Sequence, residues 1–257
     1  MKITGVIITY NEEENIERCL KSLIGIVDEI LVVDSLSTDG TKEICQKFPD
    51  VKFIEQPWLG YAQQKNFANE NASFDFILSI DADEVLSDEL KTSILQVKQS
   101  DANILTVYEM NRLNQYCGSW IKHCGWYPNR KVRLFHKSVK WIGEYVHETL
   151  SLPSNAKNLF LKGDILHYTC HSVSAHLQQV DEFTTLSARE AYGKGKETTL
   201  FAIWFRPKWK FLTDYIVKLG ILDGYAGYQL CKISAFATYL KYVKLRELRT
   251  KTNLSEL

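Results

Sequence analysis

Residues 76–83 read Phe-Ile-Leu-Ser-Ile-Asp-Ala-Asp, a stretch that decides both the predicted fold and the predicted site. The apolar part, extended to Phe74–Ile80, is short and rich in residues that favour a buried strand. Asp81 and Asp83 then stand at its carboxyl end, two positions apart. Carboxylates so placed can converge on one divalent cation such as Mg²⁺ or Mn²⁺. The alternative is a solvated turn that caps the next helix.

The same alternation of strand and helix runs through the first hundred residues. Short β-branched runs alternate with segments whose apolar residues recur at helical spacing, which predicts βαβ units and a parallel sheet. The predicted strands are Ile3–Thr9, Asp28–Asp34, Val51–Glu55 and Phe74–Ile80, and the predicted helices are Glu13–Ile24, Asp39–Phe48, Tyr61–Asn71 and Ser87–Gln99.

Polar residues follow the strands at the edge of the sheet where such folds bind ligands. Thr9, Asn11 and Glu12 follow the first strand, and Asp34 ends the second. Glutamates at 12–14 stand where a dinucleotide-binding loop would need glycines, and no Gly-Lys-[Ser/Thr] loop is present. Dehydrogenases and P-loop nucleotidases are therefore unlikely candidates on physical grounds. The spacing also predicts that Asn11 is a helix N-cap.

Further candidates come later in the chain. Lys65 opens the third predicted helix and is expected to face the site, where it can contact a phosphate or a sugar. Arg133 ends a basic cluster that precedes Glu144 and Glu148, and this mixture suits a diphosphate and sugar site. The alternative for this segment is a β-hairpin with a charged outer face. His167 can complete a metal site with Asp81 and Asp83, although a lone histidine is more often structural.

Composition excludes several classes of protein. The chain has 257 residues, 45% of them hydrophobic, and 31 basic residues balance 31 acidic ones. These values are typical of a globular protein, and the chain as a whole lacks the excess positive charge of a nucleic-acid-binding protein. The N-terminus lacks the apolar run of a signal peptide and six cysteines form no Cys-x-x-Cys pair, which predicts a cytoplasmic protein.

The carboxyl-terminal region is basic and aromatic. Ten basic and three acidic residues occupy 206–251, and no stretch of eighteen residues is free of charge. We therefore expect no transmembrane helix, but helices that lie peripherally on the inner face of the plasma membrane. The alternatives are that they pack on the rest of the chain or form a homodimer. The predicted division is one domain over 1–205, itself divided into 1–110 and 111–170, followed by a helical region over 206–257.

Together these segments resemble family 2 inverting glycosyltransferases. Val6-Ile-Ile-Thr-Tyr-Asn-Glu12, Val32-Val-Asp-Ser-Leu-Ser-Thr-Asp-Gly-Thr41 and Ile80-Asp-Ala-Asp83 are similar to the three nucleotide-sugar motifs of that family. The later Arg133-Leu-Phe-His, Val146-His-Glu148 and Leu166-His167 look like the bacterial subgroup of lipopolysaccharide core β-glucosyltransferases.

The resemblance implies a GT-A nucleotide-diphospho-sugar transferase fold: α/β, with a mostly parallel central sheet flanked by helices and a helical C-terminal appendage. It implies transfer of a hexose, glucose being favoured, from a UDP-sugar to a glycan or lipid-linked acceptor of the cell envelope, with a required Mg²⁺ or Mn²⁺. The residues expected at the donor are Thr9, Asn11, Glu12, Asp34, Lys65, Asp81 and Arg133, and those at the metal are Asp83, Asp81 and His167.

The resemblance also implies a carboxylate base. The family base usually lies in a Glu-Asp pair, and this chain has no such pair after residue 100. The role passes to Glu148, with Glu144 as the second candidate. Two other functions stay open: a haloacid-dehalogenase-like phosphatase that uses Asp81 and Asp83, and a non-catalytic carbohydrate-binding protein.

Overall fold

The computed structural model describes residues 1–100, 103–143 and 148–255, the last five of them as backbone only. The chain divides into two compact units. The first comprises Met1–Leu113 and Asn129–Tyr168, and the second comprises Asn114–Pro128 and Thr169–Leu257. The domain division at residues 205 and 206 stays a prediction.

The first unit is built on one large sheet. Its strands are β1 Ile3–Thr9, β2 Glu29–Asp34, β3 Val51–Glu55, β4 Phe76–Asp81, β5 Glu84–Leu86, β6 Thr106–Tyr116, β7 Ser119–Ile121, β8 Arg130–His136 and β11 Lys157–Cys170, of which β6, β7 and β11 lie partly or wholly in the second unit. A separate ribbon pairs β9 Lys140–Ile142 with β10 Thr149–Ser151.

The order of strands explains where a site can form. The sheet runs β3-β2-β1-β4-β8-β6-β11-β5. The first four strands are parallel to one another, and β8 then pairs antiparallel with β4 and β6. Because β1 and β4 are adjacent and parallel, the residues that follow them meet at one edge. The predicted α/β sheet flanked by helices is confirmed.

Helices cover this sheet. They are α1 Ile16–Leu23, α2 Thr41–Gln46, α3 Tyr61–Glu70 and α4 Asp88–Lys98. Ile16, Leu20 and Leu23 of α1 are fully buried, at the spacing that puts them on one face. They pack with Ile3 and Ile7 of β1 in the main core. The apolar periodicity of the sequence therefore positions the carboxyl end of β1 beside α1.

The start of α1 differs from the prediction. The helix begins at Ile16 with Asn15 as its N-cap, so the expectation that Asn11 caps it is wrong. Asn11 has a positive φ of 54°, a conformation that asparagine tolerates better than most residues. Its Oδ1 accepts a hydrogen bond from the Thr38 backbone N–H at 2.8 Å. Asn11 therefore holds two loops together instead of starting a helix.

The short strand β5 was not predicted. It pairs antiparallel with β11, and this register places Glu84 opposite His167. The Tyr168 N–H also donates to the Asp83 carbonyl oxygen at 3.0 Å. These backbone contacts bring a segment more than eighty residues away beside the two aspartates.

The second unit is mainly helical. It contains α5 Val173–Gly193, α6 Leu200–Leu212, a π-helical turn Thr213–Val217, a 3₁₀ turn Gly220–Asp223 and α7 Gly224–Ser255. The predicted helical C-terminal appendage is confirmed. Helix α7 packs on both α5 and α6. All six cysteines are free. Within the described ranges, no helix has the length and hydropathy needed to cross a bilayer.

Candidate active site

A cavity of about 770 Å³ opens at the carboxyl ends of β1 and β4, entirely within the first unit. That volume is in the range of small-molecule and cofactor sites. Of the predicted site residues, it is lined by Thr9, Glu12, Lys65, Asp81, Asp83, Glu148 and His167. The sequence motifs therefore converge on one cavity, although they lie as far apart in the chain as residues 9 and 167.

Asp81 is held by two cations. Arg133 Nη2 lies 2.7 Å from its Oδ2, and Lys65 Nζ lies 3.1 Å from its Oδ1. Burial by itself would raise the pKa of Asp81, but Arg133 and then Lys65 outweigh burial and hold that pKa far below its ordinary value. Asp81 is therefore ionised at physiological pH, and both of its oxygens are engaged within the protein.

Arg133 lies behind the cavity and is not among its lining residues. Its side chain is 5% exposed, and Nη2 donates to both Asp81 and Glu84. Burial would lower the pKa of Arg133, but the two carboxylates overcome this effect and raise it. In this structure Arg133 positions Asp81, and its contact with the donor stays a prediction.

Glu84 is a site residue that sequence reasoning missed. Its side chain is fully buried, Oε1 accepts from Arg133 at 2.8 Å, and Oε2 accepts from the Asp81 backbone N–H at 3.0 Å. Arg112 lies 3.6 Å away on the other side. A buried carboxylate needs such partners. The signal in the sequence was a third acidic residue directly after Asp83.

The Lys65 ammonium group contacts both Asp81 and the candidate base Glu148. Its ammonium group is almost buried, lies 3.0 Å from Glu148 Oε1, and sits over the Trp141 ring at 4.7 Å from the centroid. Glu148 keeps a side chain that is 18% exposed toward the cavity it lines. Lys65 therefore links Asp81 to Glu148 across the floor of the cavity. Glu144, the second candidate base, lies outside the described residues.

Asp83 and His167 form a second pair. His167 Nε2 lies 3.0 Å from Asp83 Oδ2, and both side chains line the cavity. A carboxylate and an imidazole with open space beside them fit a divalent cation that takes its remaining ligands from water and substrate oxygens. No group of three or more potential ligand side chains occurs among the residues that the structure describes. The geometry thus brings together two of the three predicted ligands, while Asp81 has other partners.

Glu12 adds negative potential to this edge. Burial raises the pKa of Glu12, the Asn15 amide opposes this by donating to it, and the nearby Asp83 raises it further. The backbone N–H of Glu12 donates to Thr41 Oγ1 at 2.8 Å. A cation in the cavity would therefore relieve repulsion between two carboxylates.

Asp34 was expected to reach the donor but is turned into the protein. It is 1% exposed, and its carboxylate accepts from the backbone N–H and the hydroxyl of Ser37. Ser37 Oγ in turn accepts from the Asn11 N–H at 2.8 Å. Asp34 and Asn11 therefore shape the rim of the cavity without lining it.

Thr9 is different. Its hydroxyl oxygen is buried and has no hydrogen-bond partner among the described residues, yet Thr9 lines the cavity. Buried hydroxyls without partners are uncommon, and this one belongs to a residue that lines the cavity.

Exposed aromatic residues form one wall of the cavity. Tyr10, Trp58 and Tyr61 line it and are between 42% and 58% exposed. The Trp58 and Tyr61 rings meet edge to face at 4.8 Å. Planar apolar surfaces beside polar groups suit a nucleobase or a sugar ring. Tyr10 directly follows β1, and Trp58 and Tyr61 lie just before and at the start of α3, but nothing in the sequence indicated that they face the site.

Comparison with known proteins gives a consistent result. A family model described as Glycosyl transferase family 2 matches residues 4–182. An uncharacterized glycosyltransferase of Rickettsia typhi is 32% identical over 98% of this chain and 89% of its own length. The lipopolysaccharide core biosynthesis glycosyltransferase LpsC of Rhizobium meliloti is 27% identical over 100% of this chain and 97% of its own. The crystal structure of S. aureus TarS 1–349 in complex with UDP-GlcNAc aligns with a TM-score of 0.47 at 16% identity, covering 98% of this chain and 92% of that one.

Proposed function

The chain belongs to glycosyl transferase family 2, and we propose that it transfers a hexose, glucose being favoured, with inversion from a UDP-sugar to a cell-envelope glycan. Membership of the family makes it a glycosyltransferase that uses a nucleotide sugar, with the GT-A fold. The identity of the sugar, the acceptor and the stereochemistry are the proposed parts.

One observation supports the proposal most strongly. Asp83 and His167 pair at 3.0 Å in a cavity whose floor also holds the Lys65 ammonium group, while Asp81 is neutralised from behind by Arg133. The cavity therefore combines two potential metal ligands with a cation and an aromatic wall. These features match the diphosphate, the sugar and the base of a nucleotide sugar.

We infer that Asp83 and His167 hold the divalent metal, Mn²⁺ or Mg²⁺. When bound, the metal would supply positive charge to the departing diphosphate. Asp81 does not need to ligate it, since Lys65 and Arg133 already occupy its oxygens. In this proposal Lys65 adds a second positive charge close to the donor, and Thr9 contributes its unpaired hydroxyl.

Glu148 is the proposed general base. It removes the proton of the acceptor hydroxyl while that oxygen attacks the anomeric carbon, and the bond from that carbon to the diphosphate oxygen breaks. The attack from the opposite face inverts the configuration. Lys65 Nζ lies 3.0 Å from Glu148 Oε1 and orients the carboxylate.

The proposed acceptor is a glycan or lipid-linked core oligosaccharide. The support is the similarity to LpsC, whose name assigns that protein to lipopolysaccharide core biosynthesis, across the whole length of both chains. An enzyme with this acceptor works next to a membrane, in line with the predicted location at the inner face of the plasma membrane.

The observations argue against the two alternatives, a phosphatase and a non-catalytic carbohydrate-binding protein. A phosphatase of the haloacid-dehalogenase type needs a nucleophilic aspartate, but both oxygens of Asp81 are bound to cations, and the motif follows β4 instead of β1. Membership of a glycosyltransferase family argues against a non-catalytic carbohydrate-binding protein.

A panel of nucleotide sugars tests the proposal. The protein is incubated with UDP-, GDP-, CDP- and dTDP-sugars, with Mn²⁺ or with chelator, and released nucleoside diphosphate and thermal stabilisation are measured. We expect UDP-glucose with Mn²⁺ to give the largest effects and the Asp83→Asn variant to lose them. Release of phosphate from p-nitrophenyl phosphate, with no response to any nucleotide sugar, would contradict the proposal.

A further inference from the structure

Helix α6 carries an aromatic stripe that is open to solvent. Its members share one side of the helix and its continuation, at spacings of three and four residues. They are Phe201 (68% exposed), Trp204 (60%), Phe205 (41%), Trp209 (57%), Leu212 (48%) and Ile216 (49%). Phe205 stacks on Phe201 at 5.5 Å and on Trp209 at 6.1 Å, so the rings form a continuous row.

The apolar surface continues beyond the helix. Val217, Leu219, Ile221, Leu222 and Tyr225 are all at least half exposed. Large exposed apolar patches on folded proteins usually mark an interaction site or a membrane contact. Scattered single residues would need no explanation, but the stacked rings of Phe201, Phe205 and Trp209 form one exposed row.

Basic residues border the stripe. Arg206, Lys208, Lys210 and Lys218 lie within 200–222, and the only acidic residue of that segment is Asp214. Asp214 is buried and paired with Lys210 and Lys218. Lys208 Nζ lies 3.4 Å from the centroid of the Trp204 ring, so a cation sits directly beside the aromatic row. The exposed surface therefore offers aromatic rings and positive charge, without an exposed carboxylate.

We propose that this aromatic-basic face, residues 200–222, binds the interface of an anionic phospholipid bilayer. Tryptophan and phenylalanine rings partition into the boundary between headgroups and acyl chains, and lysine and arginine side chains remain at the headgroups. Anionic lipid supplies the opposite charge. Charges at 206, 208, 210 and 218 disfavour a path through the bilayer core, so the segment would lie in the interface plane.

Charge disfavours the other obvious occupant, a second copy of the chain. A two-fold symmetric dimer brings the same patch of each copy face to face. Arg206 and Lys208 would then meet their own counterparts, with no exposed acid in the segment to compensate. Like charges across an interface oppose association, whereas an anionic bilayer complements them.

The test is co-sedimentation of the full chain with vesicles of phosphatidylcholine alone or mixed with phosphatidylglycerol. The aromatic variant is the double substitution Phe201→Ser/Phe205→Ser. Its matched control is Phe160→Ser/Phe183→Ser, since these phenylalanines are 43% and 44% exposed and lie elsewhere. A charge variant, Arg206→Gln/Lys208→Gln, separates the contribution of the cations. Far-UV circular dichroism and the thermal midpoint check that each variant is folded.

We expect the wild type and the control to bind anionic vesicles and both test variants to bind at least about tenfold more weakly. Raised salt should weaken binding. Brominated lipid should quench wild-type tryptophan fluorescence, and Trp204→Phe/Trp209→Phe should remove most of that quenching. The proposal is overturned if folded wild type ignores anionic vesicles at low salt, if binding survives Phe201→Ser/Phe205→Ser, or if that variant instead converts a solution dimer to a monomer. None of these readouts requires glycosyl transfer, so their failure is separate from failure of the proposed function.

Discussion

Arg133 Nη2 lies 2.7 Å from Asp81 Oδ2, and the same nitrogen lies 2.8 Å from Glu84 Oε1. One buried guanidinium group thus donates hydrogen bonds to two carboxylates. Asp81 is the first aspartate of the Asp-x-Asp motif, and both of its oxygens have cationic partners, while its role as a metal ligand stays a prediction. The two aspartates of the motif therefore have different environments: Asp81 is fixed by cations, and Asp83 faces the cavity with His167.

Replacing Arg133 by methionine should destabilise the protein. The substitution leaves Glu84 and Asp81 without their shared countercharge, and breaking a buried ion pair from one side typically costs about 3–5 kcal/mol. The free energy of unfolding in urea measures the loss. Arg130→Met is the matched control on the same strand, because Arg130 is exposed and its pair with Glu109 contributes about 1 kcal/mol or less. Equal stability of the two variants would contradict the assigned role of Arg133.

The ion pairs of Asp81 should make stability depend on pH. The pKa of Asp81 is lower in the folded protein than in the unfolded chain. Its contribution is therefore fully present above the ordinary carboxyl pKa of about 4 and is lost as the pH falls toward the folded value. We expect the difference in unfolding free energy between wild type and Asp81→Asn to be largest near neutral pH and to shrink in acid. A difference that stays constant from pH 7 to about 3 would refute this assignment.

Replacing Glu148 by glutamine should separate binding from transfer. The amide keeps the shape of the side chain but cannot accept the acceptor's proton, so the rate should fall by a factor of about a hundred or more. The affinity for UDP, measured by calorimetry, should change little. Glu144→Gln is the comparison: if it abolishes transfer while Glu148→Gln is normal, Glu144 is the base.

Replacing Asp83 by alanine should cost a factor on the order of a hundred in rate, because the diphosphate loses the charge that the metal would supply. His167→Ala should act in the same direction, since its Nε2 lies 3.0 Å from Asp83. The saturation of the rate by Mn²⁺ distinguishes this role: both variants should need more Mn²⁺. Full activity of Asp83→Ala in chelator would remove the metal assignment.

The local sequence predicted the strands best. The bounds of β1 and β3 are those expected, because their β-branched runs end at polar residues. Helix α1 starts three residues later than predicted, since the backbone N–H groups of residues 11–13 are satisfied by Ser37, Thr41 and Asp39, not by a helix cap. Those partners lie more than twenty-five residues away and leave no mark in a local window.

The sequence predicted residues that line the cavity, but it did not predict the buried residues that position them. Thr9, Asp81 and Asp83 line the cavity because the ends of the parallel strands β1 and β4 converge. Lys65 of α3 and His167 of β11 line the same cavity. The contact of Arg133 with Asp81 and Glu84 was not predicted, because Glu84 is positioned by the pairing of β5 with β11. Such pairing between distant segments is decided by tertiary packing.

We propose that Asp83 and His167 hold a metal that binds the diphosphate of a UDP-sugar. Calorimetric titration of UDP into the protein, with Mn²⁺ or with chelator, measures this directly. We predict binding that needs Mn²⁺ and that weakens at least about tenfold, or about 1.4 kcal/mol, in both Asp83→Asn and His167→Ala. UDP binding of equal strength in chelator, or unchanged by both substitutions, would contradict it.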